Sequence, residues 1–336
     1  MSHVPALLAL EDVSKTFTRP LDVAARIAKF VGARVREERV HAVDSVSLHI
    51  QAGEVVGLVG ESGCGKTTLG RIAAGLQMPT SGARYWQREN TQALRKRVGA
   101  QAYRRDMLAI QTIFQDPYAS LNPRLRVRDL IGEAPVVHRL ITARERDEYV
   151  AGLMQRVGLD PASMMRYPHQ FSGGQRARVG IARALAVKPR LLICDEAVAA
   201  LDVSIQAQVL NLFMDLRDSL DLTYLFISHD LSVVRHVSDR VVVMYLGRVV
   251  ESAPAASLFA APNHPYTQAL IAEVPRLEPR KKIFVAIRGE IPSPLNPPRG
   301  CHFHPRCPHA MPRCQEEVPA LITIAAGHQS ACHLND

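Results

Sequence analysis

The stretch EVVGLVGESGCGKTTLGRIAAGL, residues 54–76, constrains this chain more than any other part of it. EVVGLVG is an apolar run that opens into glycines, the pattern of a buried strand followed by a turn. KTTLGRIAAGL then has helical spacing. Between them, Gly60-Glu61-Ser62-Gly63-Cys64-Gly65-Lys66-Thr67 satisfies G-x-x-x-x-G-K-[ST] in the strand-then-helix context that gives the motif its meaning. Its glycines let successive backbone N–H groups turn inward and hold phosphate oxygens at a helix N-terminus. Lys66 can reach the β- and γ-phosphates, Thr67 can place its hydroxyl on Mg²⁺, and Thr68 belongs to the same binding loop.

The rest of the chain supplies a sheet to carry such a loop. RLLICDE (190–196) and TYLFISHD (223–230) read as buried strands of parallel-sheet type, each ending in polar residues. VSIQAQVLNLFMDLRDSL (203–220) between them is an amphipathic helix, and RVVVMYLGRVVES (240–252) a hairpin turning at Leu246-Gly247-Arg248. Residues 6–17 and 40–50 have strand character. The segment separating them has helical apolar spacing at Val23, Ile27 and Val31, then a charged run best read as a solvated face. Strand and helix in alternation mean an α/β domain with a mostly parallel sheet.

Two acids close the RLLICDE strand. Asp195 can hold Mg²⁺ through water, and Glu196 is placed to orient or deprotonate an attacking water. Phe171-Ser172-Gly173-Gly174-Gln175 then precedes a strong helix, RARVGIARALAV, with Ser172 in N-cap position. This is a second anion site on one chain. One nucleotide does not need both within one subunit, so two subunits arranged head to tail would each complete the other's site.

With these pieces in order, residues 6–252 resemble the ATP-binding subunits of ABC transporters, the P-loop NTPases of ABC type. That fold has a mostly parallel core sheet, an antiparallel β subdomain and a helical signature subdomain. GESGCGKT is similar to their Walker A loop, LLICDE to the Walker B strand, and FSGGQ (Ser172, Gly173, Gly174, Gln175) to the signature motif. The resemblance implies that Gln115 of FQDP contacts Mg²⁺ and couples to the membrane partner. It makes Asp202 the D-loop acid and His229 the switch histidine at the γ-phosphate, and offers Phe17 for stacking on adenine. DEAVAALD departs from the family at positions 197 and 199, where proline and serine are common, but both acids and Asp202 are present. Glu196 and His229 argue against a regulatory homologue without turnover.

Beyond about residue 253 the composition changes, with prolines at 275, 279, 292, 294, 297, 298, 305, 308 and 312. This gives a division into 1–253, a nucleotide-binding domain, and 254–336, a separate loop-rich module. NHPYTQAL (263–270) and RGEIPSPLNPPRGC (288–301) resemble the C-terminal extension of dipeptide and oligopeptide importer ATPases, as do FQDPYASLNPR and YPHQFSGGQ upstream. The similarity is greatest to the second of two paired ATPases in dipeptide importers. It implies ATP hydrolysis driving peptide import, alongside a second ATPase subunit (a paralogue), two transmembrane permease subunits and a peptide-binding protein. Sister systems carry nickel or glutathione. A soluble ABC ATPase acting on nucleic acid or ribosomes usually has two fused nucleotide domains or a coiled-coil insertion, and this chain shows one phosphate loop and no heptad run. No nucleic-acid partner is expected.

Six cysteines divide unevenly along the 336 residues. Cys64 and Cys194 read as small residues packed around the nucleotide site. Cys301-x5-Cys307-x6-Cys314-x17-Cys332 supplies four thiolates, enough for a tetrahedral Zn²⁺ site or an iron–sulfur cluster, although the paired C-x2-C knuckles of zinc ribbons are missing. Four unligated thiols remain compatible with the spacing. His302, His304 and His309 either replace a ligand or face solvent. Among these alternatives the resemblance implies a [4Fe–4S] cluster, expected to be structural and to lie outside every residue assigned to ATP chemistry. The N-terminal MSHVPALLALEDVSK makes a poor signal peptide, interrupted by Glu11 and Asp12, and no apolar run reaches the ~18 residues of a membrane helix. The expected location is the cytoplasmic face of the inner membrane, held there through the permease subunits. A formal charge of +9 favours acidic partners without selecting one.

Overall fold

The computed structural model describes residues 6–18, 38–116, 120–273 and 289–336. The helical insert expected at Val23, Ile27 and Val31 lies outside them, as does the middle of FQDPYASLNPR.

Two sheets organise the described residues. The smaller is antiparallel, in the order β2-β1-β4-β5: β1 (Leu8–Thr18), β2 (Arg39–Ile50), β4 (Ser81–Trp86) and the two-residue β5 (Glu89–Asn90). Its inner face carries Leu8, Leu10, Val13, Leu48 and Ile50, all nearly inaccessible to water. Alternation along β2 puts polar residues outside, as a half-buried strand requires.

The larger sheet has eight strands in the order β11-β12-β10-β9-β3-β8-β7-β6. They are β3 (Val55–Val59), β6 (Ile110–Ile113), β7 (Leu191–Asp195), β8 (Thr223–Ile227), β9 (Arg240–Tyr245), β10 (Arg248–Pro254), β11 (Ile322–Ala325) and β12 (His328–Ser330). The five from β6 to β9 run parallel. Every residue of β3 and β8 is buried, because both faces of the sheet are covered, one by helices and the other by Leu69 and Ile72 of the helix after β3 together with the smaller sheet. The apolar runs read from the sequence therefore became the central strands.

In chain order the helices are α1 (Lys66–Ala73), α2 (Thr91–Asp106, kinked at Gly99), α3 (Val127–Val137), α4 (Arg146–Arg156) and α5 (Gly173–Leu185). There follow α6 (Val203–Leu220), α7 (Leu231–Val237), α8 (Ala255–Ala260), α9 (Pro265–Ala272) and the single-turn α10 (Pro312–Glu316). Val127 and Ile131 of α3, Val150 and Met154 of α4, and Val179 and Ile181 of α5 pack into one apolar cluster that continues into β7 and α6. This is the helical subdomain, and it presents the N-terminus of α5. No helix among the described residues is long and apolar enough to cross a membrane.

The described residues beyond 253 are joined to the larger sheet. β12 pairs antiparallel with β10, Glu251 opposite Ser330, and β11 pairs with β12. The join is fixed by Glu251, whose side chain is fully buried. Its carboxylate accepts hydrogen bonds from Asn263 N at 2.8 Å, His264 N at 2.9 Å and His328 Nε2 at 2.7 Å. A buried carboxylate with three donors is satisfied; with none it would destabilise the fold. The sequence boundary near 253 thus coincides with the end of a shared strand, β10.

Candidate active site

Four adjacent strands, β3, β6, β7 and β8, end on one edge of the parallel sheet, and ligands bind at such edges in open α/β sheets. The loop 60–67 leaves the end of β3 and enters α1. Gly60 and Gly65 have φ of +153° and +105°, and a Cβ on them would stand 2.2 Å from Met244 O and 2.1 Å from Ala42 O. Only glycine lets the loop pass these carbonyls. Lys66 is buried and curls over the loop, donating to Gly60 O at 2.7 Å and Glu61 O at 2.9 Å. Cys64 is buried beneath it, and Cys194 is buried in β7, so both are packing residues as expected.

Thr67 Oγ1 donates to Asp195 Oδ1 at 3.2 Å, which joins the loop to the end of β7. Burial pushes the Asp195 carboxyl above the ordinary carboxylate range, and the hydrogen bond from Thr67 opposes that. A hydroxyl and a half-buried carboxylate together are hard oxygen donors that suit Mg²⁺ carried with a nucleotide.

Glu196 is the hub of a second group. Gln115, just beyond β6, donates through Nε2 to Glu196 Oε2 at 2.6 Å, and His229, just beyond β8, lies with Nδ1 3.2 Å from Oε1. Three strand ends thus converge on one carboxylate whose side chain is 18% exposed. Glu196 also holds a left-handed backbone with φ of +50°, and its N–H is fixed to Ile227 O at 2.9 Å. Such a conformation costs a non-glycine residue on the order of 1 kcal/mol and persists where surrounding structure imposes it, often at functional sites. Of the two positions that depart from the usual family pattern, Ala197 is buried and Ala199 exposed, and Glu196 keeps its place between them and the strand.

Ser172 caps α5, its hydroxyl accepting from Gln175 N at 3.3 Å while Gln175 Oε1 accepts from Ser172 N at 3.0 Å. Ser172, Gly173 and Gln175 are exposed, and no hydrogen bond joins them to residues 60–68 among the described residues. Asp202 is exposed at the start of α6. Phe17 is 42% exposed, with Lys15 Nζ 5.4 Å from its ring centre, so an aromatic face remains open for a flat ring. A cavity of about 770 Å³ lies elsewhere, against Tyr149, Arg156 and Lys188.

Cys301, Cys307, Cys314 and Cys332 line one small pocket, together with His304, His309 and His333. Burial, helped by the neighbouring Cys314, Cys307 and Cys332, raises the Cys301 thiol to about 11. No group of three or more His, Cys, Asp or Glu is drawn together at metal-holding geometry among the described residues. His302 is turned away, donating through Nδ1 to Leu246 O at 3.0 Å.

The segment that carries these cysteines nevertheless reaches the phosphate loop: Arg306, between Cys301 and Cys307, is ion-paired to Glu61 at 2.7 Å. Tyr266, in the NHPYTQAL segment, accepts from Glu61 N at 2.8 Å through its hydroxyl. The sequence reading missed both residues.

Comparison with known proteins adds the family. The model of the ABC transporter family matches residues 43–199, and that of the oligopeptide/dipeptide transporter C-terminal region matches residues 250–314. The oligopeptide transport ATP-binding protein AppF of Bacillus subtilis is 52% identical over 298 residues, covering 88% of this chain and 90% of AppF. The chain is an ABC transporter ATP-binding protein of the oligopeptide/dipeptide family. Among its relatives, the dipeptide transport ATP-binding protein DppF of Haemophilus influenzae is 46% identical over 309 residues, covering 90% of this chain and 91% of DppF. The ATP-binding cassette MJ0796, solved as a dimer in a post-hydrolysis state with ADP and Pi, superposes with a TM-score of 0.61 at 26% identity, covering 74% of this chain and 98% of that one. CbiO1 of Clostridium perfringens also gives 0.61, at 25% identity over 76% of this chain and 92% of its own. As a member of this family, the chain is an ATP-hydrolysing transporter subunit.

Proposed function

We propose that this ABC ATPase powers the import of dipeptides and oligopeptides. The supporting observation is the pairing of a converged Gln115–Glu196–His229 group with a C-terminal region of the oligopeptide/dipeptide type on the same chain. Residues 1–253 form the nucleotide-binding domain and 254–336 the extension. Gly60–Thr68 take the phosphates of MgATP, Thr67, Gln115 and Asp195 face its Mg²⁺, and Phe17 stacks on the adenine. Glu196 takes the proton of the attacking water, steadied by Gln115, while His229 assists at the γ-phosphate. Ser172, Gly173, Gly174, Gln175 and Asp202 act on the nucleotide of a second ATPase subunit, a paralogue of this one. Two permease subunits hold the pair at the cytoplasmic face of the inner membrane, and a peptide-binding protein supplies the cargo.

The test is uptake by proteoliposomes holding the two ATPases and the permease. A labelled dipeptide, delivered by its binding protein, accumulates with MgATP, and Lys66→Ala in this subunit lowers the rate by an order of magnitude or more, as losing a phosphate-binding cation does. Accumulation of nickel or glutathione without dipeptide uptake would reassign the cargo to a sister solute.

The four cysteines bind a [4Fe–4S] cluster. Their side chains share one pocket, their sulfur set is that of iron–sulfur and zinc sites, and the segment is too short for a large core of its own. When bound, the cluster supplies cross-links that hold residues 289–336 together. Anaerobically purified protein is then brown, with about four iron and four acid-labile sulfide per chain. One zinc per chain would replace the cluster in this account, and neither metal under anaerobic preparation would remove it.

A further inference from the structure

A carboxylate is chemically out of place at Glu61. A loop whose N–H groups gather phosphate oxygens brings negative charge close, and a like charge beside it weakens binding. Arg306 answers that charge. Its Nη1 donates to Glu61 Oε2 at 2.7 Å and its Nη2 to Oε1 at 2.9 Å, the bidentate geometry of the stronger ion pairs. The Arg306 side chain is 5% exposed, and Nη1 also reaches the Tyr245 hydroxyl at 3.3 Å. Glu61's backbone is held as well, its N–H by the Tyr266 hydroxyl at 2.8 Å and its carbonyl by Lys66 Nζ at 2.9 Å.

The position of Arg306 depends in turn on the cysteine-bearing segment. It lies in the single turn His304–Arg306, between Cys301 and Cys307. Cys301 N donates to Cys314 O at 2.8 Å, and His304 N donates to Cys301 O at 3.0 Å. Phe303 packs its ring 5.3 Å from that of Tyr245 and 5.4 Å from that of Tyr266, the two tyrosines that hold Arg306 and Glu61. A second connection runs through the β9–β10 turn: Gly247 N donates to Cys64 O at 2.9 Å, and His302 Nδ1 to Leu246 O at 3.0 Å.

We propose that Arg306 is a positioning residue for ATP: by pairing with Glu61 it neutralises the loop's own carboxylate and fixes Lys66, so nucleotide affinity depends on the fold of the cysteine-bearing extension. The inference rests on Gly60–Thr68 being the nucleotide site. Without Arg306, the Glu61 carboxylate is free to pair with Lys66 or to face the phosphates, and either outcome opposes ATP.

The experiment is MgATP titration of the full chain by calorimetry, well below the melting temperature of each variant. Arg306→Ala raises the Kd by ~10-fold or more, the scale of losing a charge-assisted pair. Arg306→Lys, which keeps the charge and loses the fork, falls between it and wild type. The double variant Arg306→Ala with Glu61→Gln recovers much of the affinity, because the unpaired carboxylate is gone. A loss that persisted equally in the double variant would leave Arg306 a purely structural residue and overturn the proposal. So would wild-type Kd in both Arg306 variants while Lys66→Ala fails to bind. If Lys66→Ala bound normally, the nucleotide-site reading itself would fall. Should Arg306→Ala not fold, Arg306→Lys with and without Glu61→Gln decides the matter by the same comparison. Coupling is reciprocal, so MgATP slows proteolysis of residues 289–336 in wild type and not in Arg306→Ala.

Discussion

Glu196→Gln leaves MgATP binding intact and lowers steady-state hydrolysis by ~10²-fold or more, the scale of losing a general base. The substitution keeps the size of the side chain and an oxygen for Gln115 Nε2, but it removes the charge and the proton-accepting capacity. Binding survives because the partners of Glu196 are Gln115 and His229, whereas the phosphate loop is tied to the sheet through Thr67 and Asp195. Nucleotide affinity and phosphate release, measured on the assembled complex, separate the two effects. Wild-type turnover in the variant would remove Glu196 from the mechanism.

Ser172→Arg is expected to cost as much by a different route. Ser172 is exposed at the N-terminus of α5, where its own chain's phosphate loop makes no hydrogen bond to it among the described residues. A bulky cation there removes the cap and blocks the anion site offered to a facing subunit. Hydrolysis by the complex falls on the order of 10²-fold, the cost of losing a preorganised anion site, while the variant subunit still binds its own nucleotide. The isolated subunit, when dilute, has little activity for the same reason, and activity rises when the second ATPase is added. Full, concentration-independent turnover by a proven monomer would contradict the head-to-tail arrangement.

What the sequence made legible was whatever local pattern specifies. VVGLV, LLICD and TYLFI carry polar residues only at their ends, Asp195 in the second and Thr223 and Tyr224 in the third, so they became buried parallel strands. Ser172 was legible as an N-cap, and the structure adds Gln175 to it as a capping box. Convergence of Gln115, Glu196 and His229 was legible only through family resemblance, because they lie on three strands and no local rule brings strand ends together. The Arg306–Glu61 pair was not read at all. Its members are 245 positions apart, and Arg306 was overshadowed by the cysteines around it. One signal was available: an acidic residue inside a phosphate-binding loop calls for a cation, and the partner had to come from elsewhere in the chain. The shared strand β10 was missed because the change in composition near 253 marks where prolines begin, and β12 returns to the sheet far beyond that point.

The central claim is that hydrolysis at Glu196 is coupled to peptide import. The most direct measurement is phosphate release by the reconstituted complex, with the binding protein added empty or loaded with dipeptide. The account predicts turnover that rises several-fold with the loaded form and stays at background in Glu196→Gln under both conditions, since a missing general base limits the rate whatever the cargo. Turnover indifferent to dipeptide, or a stimulated rate that survives in Glu196→Gln, would contradict it.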